Sequence, residues 1–411
     1  MAKAGRGKSG SQGKGRASGT AAPAKHKTIA TGKASKSKAS ARLAPIAAKK
    51  PAPKIAAKAA ARAKPKARAI ARPRVKARAT AAAVATRPRA PEPNLPRHDQ
   101  LPTRAGAPAG AAWGVFGDDD QLGTINLMTP AAVIEAAGSI RNGRVFSLNL
   151  PFNIPDPPLF GRGKHVHTIK QYASYILDDY LDNFYPQASS QWDALCHVKH
   201  PKLGAYNGIP DSEITGYGGT KLGIDNLARR GIAGRGVLVD IGRYHEKRGR
   251  KLNFMTNDLI PFEELLGTLE EQKTTIRAGD VLLVRIGWTK AYLAMSPEEK
   301  ATLATQTKSP GIEGTPRVAR WLWDSRIAAA ASDSPALEAM PPPPIGDQPA
   351  SRDLLHFHLL SFFGMPIGEM WDLESLADDC ARDGRYDFFI TSAPLNIPGG
   401  VGSPPNALAI K

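Results

Sequence analysis

The runs GVLVDI at residues 236–241 and DVLLVRIG at residues 280–287 decide the class of fold. Each is a short stretch rich in Val, Leu and Ile, bounded by Gly or a charged residue, as strands buried on both faces are. The runs RIAAAASD at residues 326–333 and FFITSAPLNI at residues 388–397 are interpreted as a third and a fourth strand. The sequence therefore predicts a central sheet built from short strands.

Helical segments alternate with these strands. Thr129 stands before Pro130, which is typical of an N-cap followed by proline at the first helical position. The sequence SPEE at residues 296–299 has the serine and the glutamate of a capping box. Because strands alternate with helices, we predict an α/β domain with a mixed central sheet.

The first ninety residues differ in composition from the rest of the chain. They hold 25 of the 56 Lys and Arg residues, and the first acidic residue is Glu92, so the remainder carries 31 basic against 37 acidic residues. The segment has no aromatic residue, so it cannot bury enough apolar area to offset the entropy of ordering it. We predict a disordered basic tail at residues 1–95 and one folded domain at residues 96–411.

The tail resembles the basic tails of linker histones in composition. Its cations, such as Lys49, Lys50, Arg72 and Arg74, would neutralise phosphates and release counterions, which gives contact with nucleic acid that is independent of base sequence. The alternative is a solvated extension or a misassigned start of the chain. Both interpretations remain open.

Location is predicted from what the sequence lacks. No apolar stretch has the length of a signal peptide core or of a membrane span. Two cysteines, Cys196 and Cys380, cannot form a disulfide framework, and Cys196 is interpreted as a small buried hydrophobic residue. We expect a cytoplasmic protein.

Chemistry is concentrated in the segment SSQWDALCHVKH at residues 189–200. Asp193 and His197 are four residues apart, so on a helical turn they would share one face and reach a single ion or water. The alternative is that the pair only braces a turn. His200 is interpreted as a surface residue, and the pair His165 and His167 as solvated.

A second group of candidates lies in HFHLLSFFGMPIGEMWDL at residues 356–373. Glu369 follows a Gly-Met-Pro turn that can bend the chain back toward His356 and His358. Asp193, His197, one of these two histidines and Glu369 form a set of oxygen and nitrogen ligands. Such a set suits Zn or Mn with a position left open for water.

Ordered blocks along residues 113–411 resemble the putative cyclase family, which includes bacterial kynurenine formamidases (arylformamidases) and isatin hydrolases. The blocks are WGVFGDDDQLGTINLMTP, QASSQWDALCHVKH, GRGVLVDIGRY, AGDVLLVRIGW, HFHLLSFFGMPIGEMWDL and APLNIPGGVGSPPNALAIK. The resemblance implies a swivelling β/β/α fold and a homodimer. It implies a metal-dependent hydrolase, and for the formamidases a place in tryptophan catabolism to kynurenine.

The family signature H-x-G-T-H-x-D-x-x-x-H assigns roles residue by residue. Its aspartate falls on Asp193 as a metal ligand, and its last histidine falls on His197 as the general acid and base. Its two earlier histidines fall on Gln187 and Gln191, so two imidazoles of a two-metal centre are missing. The resemblance then implies one Zn or Mn ion held by Asp193, by His356 with His358 as competitor, and by Glu369. The amide oxygen of Gln191 is a fourth candidate ligand.

The predicted reaction follows from these roles. Metal-bound hydroxide attacks the carbonyl of an amide, a lactam or a cyclic ester, and His197 transfers the proton to the leaving atom. Gln187, Trp192 and Tyr206 are candidates for contact with a small aromatic or cyclic substrate. Two alternatives stay open: a dehydratase or cyclase reaction on the same fold, or a nucleic-acid-binding protein that acts through its tail and keeps only a vestigial site.

Overall fold

The computed structural model describes residues 93–215, 220–345 and 354–411. The predicted tail therefore lies outside the described residues except for residues 93–95, and the boundary at residues 95 and 96 stays a prediction. The described strands are β1 (Val145–Ser147), β2 (Val166–Ala173), β3 (Ile176–Asp182), β4 (Gln191–Asp193), β5 (Ile232–Asp240), β6 (Leu259–Ile260), β7 (Val281–Arg285), β8 (Gly311–Ile312), β9 (Ala329–Ser332), β10 (Ile367–Glu369), β11 (Asp387–Ser392), β12 (Gly402–Ser403) and β13 (Ala407–Ile410).

The helices lie between these strands. The described α-helices are α1 (Pro130–Ala137), α2 (Ile224–Arg230), α3 (Ile241–Lys247), α4 (Phe262–Glu271), α5 (Trp288–Ala294), α6 (Pro297–Ala304), α7 (Pro316–Asp324) and α8 (Glu374–Asp383). Short 3-10 helices cover His98–Gln100, Gly123–Leu127, Tyr206–Gly208 and Asp211–Glu213, and a π-helix covers Phe357–Phe363.

Nine strands form one mixed sheet in the order β1, β13, β11, β5, β7, β9, β10, β4, β12. The strands β5, β7, β9 and β10 are parallel to one another, whereas β11, β13 and β1 on one side and β4 and β12 on the other pair antiparallel. The predicted α/β class with a mixed central sheet is confirmed.

The four apolar runs of the sequence each contain one strand of this sheet. They supply β5, β7, β9 and β11, and every residue of β7 and β9 is buried. Continuous burial is the reason that β7 and β9 consist mainly of apolar residues, whereas β11 is fully buried only at every second residue. The core of the domain lies on both faces of this part of the sheet.

Both predicted helix starts are confirmed. The Thr129 side chain accepts a hydrogen bond from the backbone of Ala132 at the start of α1. Ser296 and Glu299 form a reciprocal capping box at the start of α6, as the sequence SPEE predicts.

The strands β10 and β4 bring two distant segments together. Glu369 pairs with Gln191, Gly368 with Trp192, and Ile367 with Asp193. On its other side β10 pairs with β9, where Gly368 allows close packing, because a Cβ atom there would lie 2.5 Å from the Cβ of Ala331. The chain thus bends back after the Gly-Met-Pro turn, as predicted.

A hairpin of β2 and β3 forms a separate two-stranded sheet. It exposes several large apolar side chains, among them Ile169, Tyr175 and Leu177. Within the described residues, no helix is long and apolar enough to cross a membrane.

Candidate metal centre

Asp193, His356 and Glu369 form a buried cluster whose potential ligand atoms all lie within 4.8 Å of one another. Side chains two residues apart on a strand point to the same face, and directly paired residues on neighbouring strands do so as well. Asp193 on β4 therefore shares a face with Gln191 and with Glu369, the residue paired with Gln191. His356 is the residue just before the π-helix, and its side chain reaches the same face.

The distances within the cluster suit a shared ligand. The Nε2 atom of His356 lies 3.1 Å from Oε1 of Glu369 and 3.8 Å from Oδ2 of Asp193. Both Asp193 oxygens are buried and have no hydrogen-bond partner. Leaving a buried carboxylate without partners carries a large free-energy cost, and a bound cation would remove it. The donor set and its vacant lone pairs therefore fit a divalent metal ion.

Gln191 completes the inner face of the cluster. Its amide nitrogen donates a hydrogen bond to Oε2 of Glu369, which fixes that carboxylate, and its Oε1 is buried without a partner. The Gln191 oxygen is thus a fourth acceptor of the kind that a metal ion takes up.

Glu338 contacts the cluster from behind His356. Both of its carboxylate oxygens lie 2.8 Å from His356 Nδ1, and the His356 backbone N–H donates to it at 3.2 Å. A proton on Nδ1 is then shared with Glu338, so Nε2 is the nitrogen that faces Asp193 and Glu369 and that would bind a metal ion once it is deprotonated. This carboxylate–histidine pair is the usual support of a metal-binding imidazole.

The pKa values of the acids reflect this packing. Burial raises the pKa of Asp193, but the attraction of His197 and His356 outweighs burial and brings it below its ordinary value. Burial and the neighbouring Asp193 charge raise the pKa of Glu369. Burial would lower the pKa of His356, but Glu338 and the hydrogen bonds with the acids raise it well above its ordinary value. The site thus holds a proton where a metal ion can replace it.

His197 lies at the outer edge of the cluster. Its Nε2 is 3.6 Å from Oδ1 of Asp193, and its side chain keeps 24% of its surface exposed whereas that of Asp193 is fully buried. Its Nδ1 lies 3.1 Å from the Gln187 amide nitrogen. The predicted helical turn is wrong: Asp193 ends β4, and His197 follows in a turn closed by its N–H donating to the Ala194 carbonyl. The two side chains still meet, because this turn reverses the chain.

The remaining histidines lie elsewhere. The His358 ring contacts Phe362 edge-on, so His356 and not its competitor joins the cluster. The His200 ring stacks on Phe362, and its Nδ1 accepts from the backbone of the turn that follows it. His167 is exposed on the hairpin, 2.8 Å from Asp179.

Two of the predicted substrate contacts are packed in the core. Trp192 is fully buried, donates to Ser392 at 2.9 Å and packs edge-on against Trp371. Tyr206 is also fully buried and donates to Asp120 at 3.1 Å. Their contact with substrate stays a prediction, as does that of Gln187, whose described partner is His197.

The sequence did not single out Glu338 or Arg162. Of the glutamates, the sequence pattern points only to Glu369 as one within reach of the histidines. Glu338 nevertheless lies against His356. Arg162 carries a buried Nη1 without a hydrogen-bond partner, and its charge is a minor influence that favours the ionised forms of Asp193 and Glu369. A lone acid and a lone arginine have no spacing pattern, so only the fold reveals them.

Comparison with known proteins gives the family of this chain. The family described as putative cyclase matches residues 146–339. A solved structure described as a novel cyclase is 37% identical, with a TM-score of 0.65, and the match covers 73% of this chain and 99% of the other. The chain belongs to the putative cyclase family.

Two solved isatin hydrolases are more distant. Isatin hydrolase A from Labrenzia aggregata, bound to benzyl benzoate, is 19% identical with a TM-score of 0.44, over 67% of this chain and 94% of that one. Isatin hydrolase A from Ralstonia solanacearum is 16% identical with a TM-score of 0.46, over 66% and 93%. No curated protein matches the chain.

Proposed function

We propose that this chain is a metal-dependent hydrolase of a C–N amide or lactam bond or of a cyclic ester bond, with arylformamidase-like chemistry. One observation carries the proposal: the two buried Asp193 oxygens accept no hydrogen bond, although they lie beside His356 and Glu369. An enzyme site can tolerate such a free-energy cost in its metal-free form, because a bound cofactor removes it. Membership of the putative cyclase family supports an enzyme.

The cluster would hold one Zn or Mn ion through Asp193, His356 and Glu369, with Gln191 Oε1 as a fourth donor. Two carboxylates and an imidazole are ligands that both metals accept. When bound, such an ion polarises a carbonyl group and lowers the pKa of a water molecule beside it. A second ion lacks ligands, because Gln187 and Gln191 stand where the family signature has histidines.

His197 is the proposed general acid and base. The Gln187 amide can present its N–H or, after rotation, its oxygen to His197 Nδ1, so it satisfies that atom with or without a proton. Proton transfer therefore falls to Nε2, the nitrogen that faces the cluster. Nε2 accepts a proton from the attacking water and returns one to the leaving nitrogen or oxygen, so that water adds across the broken bond.

Turnover tests the proposal. The full chain, loaded with Zn or Mn, is incubated with N-formylkynurenine, with isatin and with an aryl lactone, and the products are identified by mass. From isatin and the lactone we expect one ring-opened product heavier by one water, and from N-formylkynurenine we expect kynurenine and formate, whose summed mass exceeds that of the substrate by one water. We also expect a loss of about 100-fold or more in kcat for His197→Ala with metal content unchanged. The exposed His167→Ala variant is the matched control. Products lighter by one water, or no turnover of any substrate, would contradict the proposal.

The homodimer and the contact of the tail with nucleic acid stay predictions. Light scattering on the full chain measures the first. For the second, the expected result is a steep fall of DNA affinity with rising salt, because the tail would act by counterion release.

A further inference from the structure

Arg162, which is half-buried, differs from the fully buried arginines of the described chain. Arg235 pairs with Asp280 at 2.9 Å, and Arg285 pairs with Asp240 at 2.6 Å. Arg162 forms no ion pair with any described residue, although its Nη1 atom is buried and lacks a hydrogen-bond partner. A guanidinium group stays charged at all ordinary pH values, so this buried donor is costly until an acceptor reaches it.

The loop that carries Arg162 lies against the segment that leads into β4, since the Ser189 hydroxyl donates to the Pro151 carbonyl at 3.0 Å. The charge of Arg162 also acts on Asp193 and Glu369, although it forms no ion pair with either. The adjacent Gly163 packs tightly against the segment that leads to Gln187, since a Cβ atom at Gly163 would lie 2.8 Å from the Tyr185 ring. The loop that carries Arg162 therefore lies next to the residues that hold His197.

The loop around Arg162 is held by contacts of its own, and its acidic residue, Asp156, is already paired. Lys164 holds Asp156 at 2.8 Å, and the Asp156 backbone N–H donates to the Tyr292 hydroxyl at 2.8 Å. The Arg162 guanidinium lies over the Phe160 ring, 5.3 Å from its centroid. Stacking on an aromatic face fixes the plane of the guanidinium and leaves its N–H edge for a ligand.

We propose that Arg162 binds a carboxylate group of the substrate, so that the hydrolase acts on an amide or cyclic ester that carries a carboxylate near the scissile carbonyl. This inference rests on the proposed function. A carboxylate presents two oxygens in one plane, and these match the fork of N–H donors on a guanidinium group. A metal ion bound to Asp193 and Glu369 would neutralise these two acids. Among the described residues at the cluster, Arg162 would then be the cation that is available to the substrate carboxylate.

Binding of benzoate and of its neutral analogue benzamide tests the inference without turnover. Calorimetry on the metal-loaded full chain should show benzoate binding at least about tenfold tighter than benzamide. Arg162→Met should abolish this preference, whereas the matched control Lys164→Met, two residues away and exposed, should keep it. Metal content and thermal midpoint confirm that each variant is folded. Equal benzoate affinity in the wild type and in Arg162→Met would overturn the inference.

A substrate pair separates a substrate carboxylate from the acid that hydrolysis releases. N-formylanthranilate and formanilide both release formate, but only the first carries a carboxylate beforehand. The kcat/KM ratio of the first to the second should fall about tenfold or more in Arg162→Met, and Arg162→Lys should restore part of it. An unchanged ratio would overturn the inference and leave the proposed function intact. Arg162-dependent benzoate binding without turnover of either compound would support the inference and contradict the proposed function.

Discussion

Glu338 and His356 form the contact that orients the candidate metal centre. Both Glu338 oxygens lie 2.8 Å from Nδ1, while Nε2 of the same ring lies 3.1 Å from Glu369. Glu338 itself is fully buried, so its charge has no solvent to stabilise it. Its role is therefore to hold the His356 ring and its tautomer in the orientation that a metal ligand needs.

Replacing this carboxylate should weaken metal binding. Glu338→Gln keeps the size of the side chain but replaces the charged acceptor of the Nδ1 proton by a neutral amide, one end of which is a donor, so we expect metal affinity to fall about 10-fold to 100-fold. Competition with a chelating dye measures it. Glu263→Gln, at an exposed acid paired with Arg317, is the control. An unchanged affinity in Glu338→Gln would show that His356 is oriented without Glu338.

Restoring the two missing imidazoles should add a metal ion. Gln187 and Gln191 lie against His197 and Glu369, where the family signature has histidines. The double variant Gln187→His with Gln191→His should bind two ions per chain, and each single variant should bind fewer than two. Mass spectrometry of the native protein counts the ions. One ion in the double variant, with an unchanged thermal midpoint, would contradict this explanation of the glutamines.

Metal affinity should rise with pH. In the metal-free chain, burial and Asp193 raise the pKa of Glu369, and the Glu338 charge with the hydrogen bonds that His356 donates to the acids raises the pKa of His356 above its ordinary value of about 6.5. A metal ion must displace these protons, so binding releases protons and weakens on acidification. Calorimetry in buffers of different ionisation enthalpy counts the released protons. Metal affinity independent of pH would contradict this prediction.

Thermal stability should respond to pH with opposite signs in the two forms. A raised His356 pKa stabilises the metal-free fold fully below the unfolded value, and this contribution is lost as the pH rises through the folded value. The metal-loaded fold should instead gain stability over the same range, because its ligands are deprotonated. Melting curves with EDTA or with metal, from about pH 6 to about pH 9, measure both slopes. Parallel slopes would contradict the cluster as a metal site.

The two cysteines should be unreactive in the folded chain. Both are buried, and burial raises the pKa of Cys196 and of Cys380 to about 12. At about pH 8 their thiolate fraction should be about a thousandfold below that of a free cysteine. Iodoacetamide labelling, with the unfolded chain as control, measures this. Fast labelling of Cys196 would show that the turn between Asp193 and His197 opens.

The sequence predicts those parts of the fold whose signal is apolar. The strands β5, β7, β9 and β11 are found because each contains a buried apolar run. The strands β4 and β10 escape this reasoning, since each has three residues and points a polar side chain, Asp193 or Glu369, into the protein. The segment from Pro398 to Pro405 has the Gly and Pro content that is typical of a loop, yet it contains β12, which pairs with β4. Because the segment is rich in Gly and Pro, its sequence does not predict a strand. The strand is defined by its pairing with β4.

The candidate site is likewise predicted only in part by the sequence. The family resemblance assigns Asp193, His197, His356 and Glu369, and the fold brings these side chains together. Spacing alone cannot choose between His356 and His358, because either is compatible with a turn of helix. Glu338 decides the choice, since it holds His356. That contact joins two segments on either side of the undescribed residues 346–353, so no local pattern reports it.

Metal stoichiometry tests the central claim most directly. The purified full chain, loaded with Zn or Mn and freed of excess ion, is analysed by elemental mass spectrometry beside Asp193→Asn and Glu369→Gln. We predict one ion per wild-type chain and none in either variant, with both variants folded by circular dichroism. Two ions in the wild type would contradict the single-metal site. An ion retained by either folded variant would contradict the ligand assignment itself.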